Sequence, residues 1–188
     1  IEKGRLGEAL VNFIDMFVGH IRGGLGAVSV ITSAIFGAIT GSCAACLSCI
    51  GSIMYPKLRK AGYDEGFATA LLVNAGPLGL LIPPSADQIL YAWSAGLSVL
   101  ACFLSTVVPG LILAALLCVI NFIYANKSSS VQITEKVKFF SNRGMQRTGV
   151  AIPALLFPIV ILGGIYGGIM TPTEAAAVSV IYAIPVGI

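Results

Sequence analysis

Residues 67–95 read FATALLVNAGPLGLLIPPSADQILYAWSA, and this stretch decides the fold. It is long enough to cross a bilayer, which takes about 20 apolar residues in a helix. Yet Gly76-Pro77, Gly79 and Pro83-Pro84-Ser85 cannot continue a regular helix. Each interior proline removes a backbone donor at a cost of about 3 kcal/mol or more. Hydrocarbon offers no substitute partner, so irregular backbone at membrane depth persists only where it is buried in protein or lines a cavity. A break frees carbonyls on one side, which suit a cation, and amides on the other, whose dipole suits a carboxylate.

Working outward, apolar sequence continues to Ala125 with Asp87 as its one charge. Upstream, Gly23 to Met54 carries no charged side chain and is interrupted at Gly41-Ser42. Downstream, Val150 to Ile188 carries Glu174 alone and is interrupted at Gly163-Gly164, Gly167-Gly168 and Thr171-Pro172. Composition agrees: 57% of the 188 residues are hydrophobic, 10% are charged and the mean hydropathy is +0.95. Soluble domains carry roughly 25% charged residues, so a water-facing surface is excluded. Eight of the eleven basic residues fall in two short polar segments, Lys57 to Lys60 and Lys127 to Arg147, which excludes a nucleic-acid reading.

The pattern predicts an all-α polytopic membrane protein. Residues 1–22 form an interfacial or helix-end segment, with Leu6, Leu10, Phe13 and Phe17 at helical spacing. Then come a broken span at 23–54, a cytoplasmic loop at 55–66, a broken span at 67–95, a span at 99–125, a cytoplasmic loop at 126–148 and a broken span at 149–188. The first residue is Ile and the last run is apolar, so a piece of a longer protein is expected. Basic loops lie on the cytoplasmic side. Residues 23–54 then run from outside to inside while 149–188 start inside, an opposition found in transporters built from inverted repeats.

Each candidate residue has a plain reading beside its chemical one. Thr171-Pro172-Thr173-Glu174 has the form of a helix start, Thr capping and Glu completing a capping box, while an ionisable residue in a membrane segment is also a functional candidate. Gly41 and Ser42 suit close helix packing as well as a break. Asp87 either snorkels to an interface or serves a site. Cys43, Cys46 and Cys49 have cluster-ligand spacing but lie in an apolar span with no fourth cysteine nearby, where free Cys packs as a small hydrophobe. The single His20 has no nucleophile pattern around it and there is no phosphate loop, so no enzyme is expected.

Gly19-His20-Ile21-Arg22-Gly23-Gly24-Leu25, Phe36 to Ser42, Ile50 to Met54 with Pro56, Gly62-Tyr63-Asp64, Ile82-Pro83-Pro84-Ser85, Val108-Pro109-Gly110 and Thr171 to Ala177 carry a resemblance. In order and spacing they resemble the large permease subunit of tripartite ATP-independent periplasmic (TRAP) transporters of C4-dicarboxylate type. The resemblance implies inverted repeats with broken helices and re-entrant hairpins, an elevator-like moving domain, and a bacterial inner-membrane location. It implies Na⁺-coupled symport of a small carboxylate, a soluble periplasmic binding protein that delivers it, and a small membrane subunit. Carried over, the Na⁺ site falls on Thr40, Ser42, Cys46 and the backbone carbonyls of Gly79, Ile82 and Pro84. Gly41, Ser85, Asp87, Thr171, Thr173 and Glu174 are candidates for substrate or a second site. Cys46 stands where the family commonly has an acidic or polar residue, and Ala86-Asp87 replace apolar and Pro residues. Two other classes remain: a membrane redox or metal protein using Cys43, Cys46 and Cys49, and a scaffold without transport.

Overall fold

The uncharged run that opens at Gly23 folds as two helices lying side by side. The computed structural model describes residues 6–128, 130–131 and, between 156 and 181, residues 156, 160, 161, 163–171, 174, 175, 177, 178, 180 and 181. Helix α1 (Leu6–Val18) leads into α2 (Gly24–Thr40) and α3 (Cys43–Lys60). Between α2 and α3, Gly41 takes a left-handed conformation (φ 60°) and its N–H closes on the Gly37 carbonyl at 2.7 Å. Ser42 is extended (φ −137°) and its hydroxyl accepts the Ala45 N–H, capping α3. These two residues reverse the chain. The Cys46 thiol, one turn into α3, donates back to the Ser33 carbonyl of α2 at 3.3 Å. At the far end, Tyr63 beyond α3 and Gly23 before α2 meet through the Asn121 side chain.

This corrects the expectation for 23–54. A Gly-Ser interruption in a long apolar run was read as one crossing broken midway; the left-handed Gly41 followed by a capped helix makes a hairpin instead. The polar stretch 55–66 also differs from a loop. Helix α3 runs on through Lys60, where Lys57, Arg59 and Lys60 occupy its last turn and favour the negative end of the helix dipole. Only residues 61–64 turn. The comparison of 23–54 with 149–188 as inverted repeats involves residues outside those described.

The next pass climbs beside the hairpin. Helix α4 (Glu65–Ala75) starts on Asp64, whose carboxylate accepts the N–H groups of Gly66 and Phe67 at 2.9 and 3.3 Å. After Gly76-Pro77 comes a single turn, α5 (Leu78–Leu81), then an irregular Ile82–Ser85. The chain resumes as α6 (Ala86–Ala95), bent 45° from the line of α4 and α5. Gly96 (φ 66°) turns it into α7 (Val99–Lys127), 29 residues and about 43 Å at 1.5 Å per residue. Among the described residues α7 alone is long and apolar enough to cross a membrane, joined by α4 to α6 when the bent pair is taken as one span. Phe103, Gly110, Leu117, Asn121 and Ala125 form the stripe that α7 buries, while Leu104, Val108, Leu111, Leu116 and Ile123 remain exposed.

The core joins the elements at the hairpin base. Leu10, Val11 and Ile14 of α1 pack with Val28, Phe36, Ile50, Met54 and Leu58. Phe17, expected on the apolar stripe, is 54% exposed, because the buried face turns toward Val11 and Ile14. The Tyr63 hydroxyl donates to Asn121 Oδ1 at 3.0 Å, and Asn121 Nδ2 donates to the Gly23 carbonyl at 2.7 Å. A Cβ at Gly26 would overlap the Asn121 side chain, so glycine there lets α2 and α7 close. Phe67 and Tyr124 stack at 3.7 Å beside this clamp. Burial pushes the Tyr63 phenol up to about 12, outweighing the bonds to Gly26 and Asn121 that lower it.

Candidate ion and substrate site

The two interruptions that sequence reasoning singled out meet. The hairpin tip at Gly41-Ser42 abuts the irregular Ile82–Ser85 segment. A Cβ at Gly41 would stand 2.9 Å from the Pro84 carbonyl oxygen and 3.3 Å from the Ala86 amide nitrogen. A Cβ at Gly79 would stand 3.1 Å from the Ser42 carbonyl oxygen and 3.3 Å from Cys46 Cβ. Gly37 lies directly against the backbone of Gly79. Three glycines thus let three backbones approach without side chains between them. Gly110 of α7 closes the other side, where a Cβ would be 3.2 Å from Leu81 Cβ. The Pro83-Pro84 peptide is cis.

What the meeting offers is unpaired backbone. Among the described residues, no hydrogen bond reaches the carbonyls of Ala38, Ile39, Thr40 and Gly41 at the end of α2, or those of Gly79 and Leu81 to Pro84. The N–H groups of Cys43 and Ala44 on α3, and of Ala86, Asp87 and Gln88 on α6, have no acceptor among the described residues. Helix ends leave such groups open, carbonyls carrying partial negative charge and amides partial positive charge. Carbonyls of a kind suited to a cation and amides of a kind suited to an anion therefore lie side by side at one junction. Ser85, 1% exposed, adds a buried hydroxyl with no partner among the described residues.

The structure brings Ser42, Cys46 and Gly79 together on one flank, and Gly41, Pro84 and Ser85 on the other. Ile82 packs on Gly110, and Thr40 turns its hydroxyl back to the Phe36 carbonyl at 3.1 Å, which leaves the oxygen free to accept. Cys46 is fully buried and its thiol is engaged by Ser33, which counts against it as an ion ligand. The other cysteines diverge from it: Cys43 Sγ faces Gly76 at the end of α4, and Cys49 Sγ faces Gly7 on α1. No group of three potential metal-binding side chains exists among the described residues. Three sulfurs spaced by three residues along a helix meet three different neighbours, so they do not converge on one centre.

Glu174 and Thr171 form the capping box expected of them. Glu174 accepts the Thr171 N–H at 2.7 Å and its hydroxyl at 2.9 Å, while Thr171 Oγ1 accepts the Glu174 N–H at 3.3 Å. The pair borders a hollow of about 380 Å³ with Ser98, Val99, Gly168 and Met170 at the start of α7. Thr173 lies outside the described residues. Sequence reasoning missed Gln88 and Thr106. The Gln88 amide donates to the Leu80 carbonyl across the break and accepts from Thr106 Oγ1 of α7 at 3.2 Å. A second polar residue next to Asp87 in an apolar span was the available signal.

An all-helical apolar module whose interrupted backbones present open polar groups to each other has the architecture of a membrane permease. The chain belongs to the family described as tripartite ATP-independent periplasmic transporter, DctM component, which matches residues 1–188. It is 37% identical over 185 residues to the ectoine TRAP transporter large permease protein TeaC of Halomonas elongata, covering 97% of this chain and 42% of that one. It is 37% identical over 179 residues to the C4-dicarboxylate TRAP transporter large permease protein DctM of Pseudomonas aeruginosa, covering 95% and 41%. With the isethionate TRAP transporter permease protein DctMQ of Oleidesulfovibrio alaskensis it shares 36% identity over 186 residues, 98% of this chain and 29% of that one. The chain thus spans about two fifths of the length of the first two relatives. These relatives are permease components of membrane transporters and not enzymes.

Proposed function

We propose that this chain forms part of a secondary transporter that imports a small carboxylate across the bacterial inner membrane, coupled to Na⁺. Thr40 and Ser42 supply hydroxyl oxygens to the ion, and Gly79, Ile82 and Pro84 supply backbone carbonyls. Oxygen donors suit a small hard cation. The adjoining amides of α3 and α6 receive the carboxylate, with Ser85 beside them. The observation that carries this reading is the contact between Gly41 and the Pro84–Ala86 backbone, where carbonyls without donors and amides without acceptors among the described residues adjoin. A periplasmic binding protein delivers the solute and a small membrane subunit braces the permease, as the family description supports. Relatives named for ectoine and for C4-dicarboxylates bound the solute class to small organic acids.

The test uses the full permease, its small subunit and its binding protein in proteoliposomes. Uptake of labelled acid is expected to require high external Na⁺ and to fall with Ser42→Ala at unchanged protein level. Uptake indifferent to collapse of the Na⁺ gradient would refute sodium coupling.

A further inference from the structure

Charge is unevenly placed along the module. The described basic residues, Arg22, Lys57, Arg59, Lys60 and Lys127, all sit where the hairpin base meets the end of α7. At the opposite end are two carboxylates. Glu174 is held by Thr171. Asp87 has no hydrogen-bond or ionic partner among the described residues.

An acid in the first turn of α6 is by itself ordinary compensation of a helix dipole. Its surroundings say more. Asp87 lines a hollow of about 240 Å³ between α6 and α7 with Ser85, Gln88, Tyr91, Ser105 and Thr106. Ser85, almost wholly buried, also borders that hollow, and its hydroxyl has no hydrogen-bond partner among the described residues. Buried polar groups are rarely left so, which marks this wall of the hollow as unusual. Ser105 and Thr106 lie about 10 Å along α7 from its start, inside the apolar span and above the junction at Gly110.

Size and lining select the ligand. A water takes about 30 Å³ of liquid volume, and a bare ion needs oxygens closed tightly around it. A hollow of about 240 Å³ instead admits a group of several non-hydrogen atoms. A carboxylate, hydroxyl oxygens and the ring of Tyr91 all favour a nitrogen-borne positive charge. A dianion here would face Asp87 with no described cation to offset the repulsion.

We propose that the hollow between α6 and α7 receives the positively charged nitrogen group of the transported solute, with Asp87 as its counter-charge, so that the solute is a zwitterionic carboxylate. This rests on the carboxylate-import reading and deepens it. The two poles of such a solute are served by adjoining features, the carboxylate by the open amides beside Gly41 and the cation by Asp87.

Succinate and 4-aminobutyrate have the same chain length and differ in one end group, carboxylate against ammonium. The full-length permease in lipid nanodiscs is melted with each solute at fixed Na⁺. 4-Aminobutyrate is expected to raise the unfolding midpoint at concentrations about tenfold or more below succinate, since like charges oppose each other at Asp87. Asp87→Asn is expected to erase that preference and Asp87→Glu to keep it. Equal responses, a preference for succinate, no response to either solute, or a preference that survives Asp87→Asn overturns the proposal. So does loss of the response to Na⁺ alone in Asp87→Asn, which would make the hollow a metal-ion site. Stabilisation of the unmodified protein by Na⁺ without solute is read separately; its absence counts against ion coupling and leaves the two-solute comparison standing.

Discussion

Replacing Gly41 by alanine separates backbone strain from collision at the junction of the two breaks. Gly41 has φ 60°, and an L-residue held in that left-handed region costs about 1–2 kcal/mol. Its new Cβ would lie 2.9 Å from the Pro84 oxygen, whereas ordinary contact begins at 3.4 Å, a shortfall of 3.4 − 2.9 = 0.5 Å. Overpacking of this kind adds about 1–3 kcal/mol, for a total of about 2–5. Gly96 provides the control, with φ 66° and nothing within 4 Å of a Cβ. Gly96→Ala should therefore show the strain alone, about 1–2 kcal/mol. Metal sites tolerate displacements of only about 0.2 Å, so a shift of several tenths should also spoil the ion site. The assay is thermal unfolding of the full-length permease in nanodiscs across a Na⁺ titration against a K⁺ background. Gly41→Ala is expected to raise the half-saturating Na⁺ concentration about tenfold or more, equivalent to about 1.4 kcal/mol, while Gly96→Ala leaves it unchanged. Equal losses in the two variants, or an unaltered Na⁺ titration in Gly41→Ala, would falsify the claim that the close approach of these backbones builds the site.

Other substitutions probe the parts around the junction. Asn121→Ala strips partners from the Tyr63 hydroxyl and the Gly23 carbonyl and should cost about 2–4 kcal/mol in urea or thermal unfolding. Because Gly26 is small to accommodate Asn121, the Gly26→Ala penalty should shrink in the Asn121→Ala background, giving a non-additive cycle. Gln88→Met leaves the Leu80 carbonyl without its donor, while the Thr106 hydroxyl keeps the Phe103 carbonyl; a loss of about 1–2 kcal/mol with a weaker response to Na⁺ is expected, and an unchanged titration would show that the stitch across the break is dispensable. Tyr63 is neutral in the fold up to about pH 12, whereas an unfolded tyrosine ionises near 10. Stability should therefore be full below pH 10 and decline above it, and Tyr63→Phe should flatten that decline in a melt series.

How much of this was legible depended on the type of signal. Prolines and glycines in an apolar run announced the break at Ile82–Ser85 because their backbone chemistry is local and admits few alternatives. The helix α7 followed from a long apolar stretch without charge. The hairpin was harder. Gly41-Ser42 is compatible with a kink in one crossing or a reversal between two shorter helices, and an uncharged run fits both. What decides it is the left-handed Gly41 with the packing of Gly37 on Gly79, a contact across forty-two positions that no local pattern encodes. Basic residues suit a loop and the end of a helix such as α3 equally well. At the site, the resemblance pointed to the Gly79–Pro84 segment and the tip, and the structure brings these two backbones together. The engagement of Cys46 by Ser33 and the bridge from Gln88 to Thr106 depend on side-chain direction, which spacing does not reveal.

The hairpin also fixes a matter of parity. An element that dips in and returns contributes zero to the tally of crossings, so the turns at 19–23 and 61–64 and the chain at Ser128, Ser130 and Val131 share one face, as the contacts of Arg22 with Ser128 and of Gly62 with Ser130 require. Any orientation scheme that scores residues 24–60 as a single traverse inverts the assignment of everything preceding them. Enzyme reporters fused within those three places should all give the same compartment signal, and one placed at 96–98 the opposite.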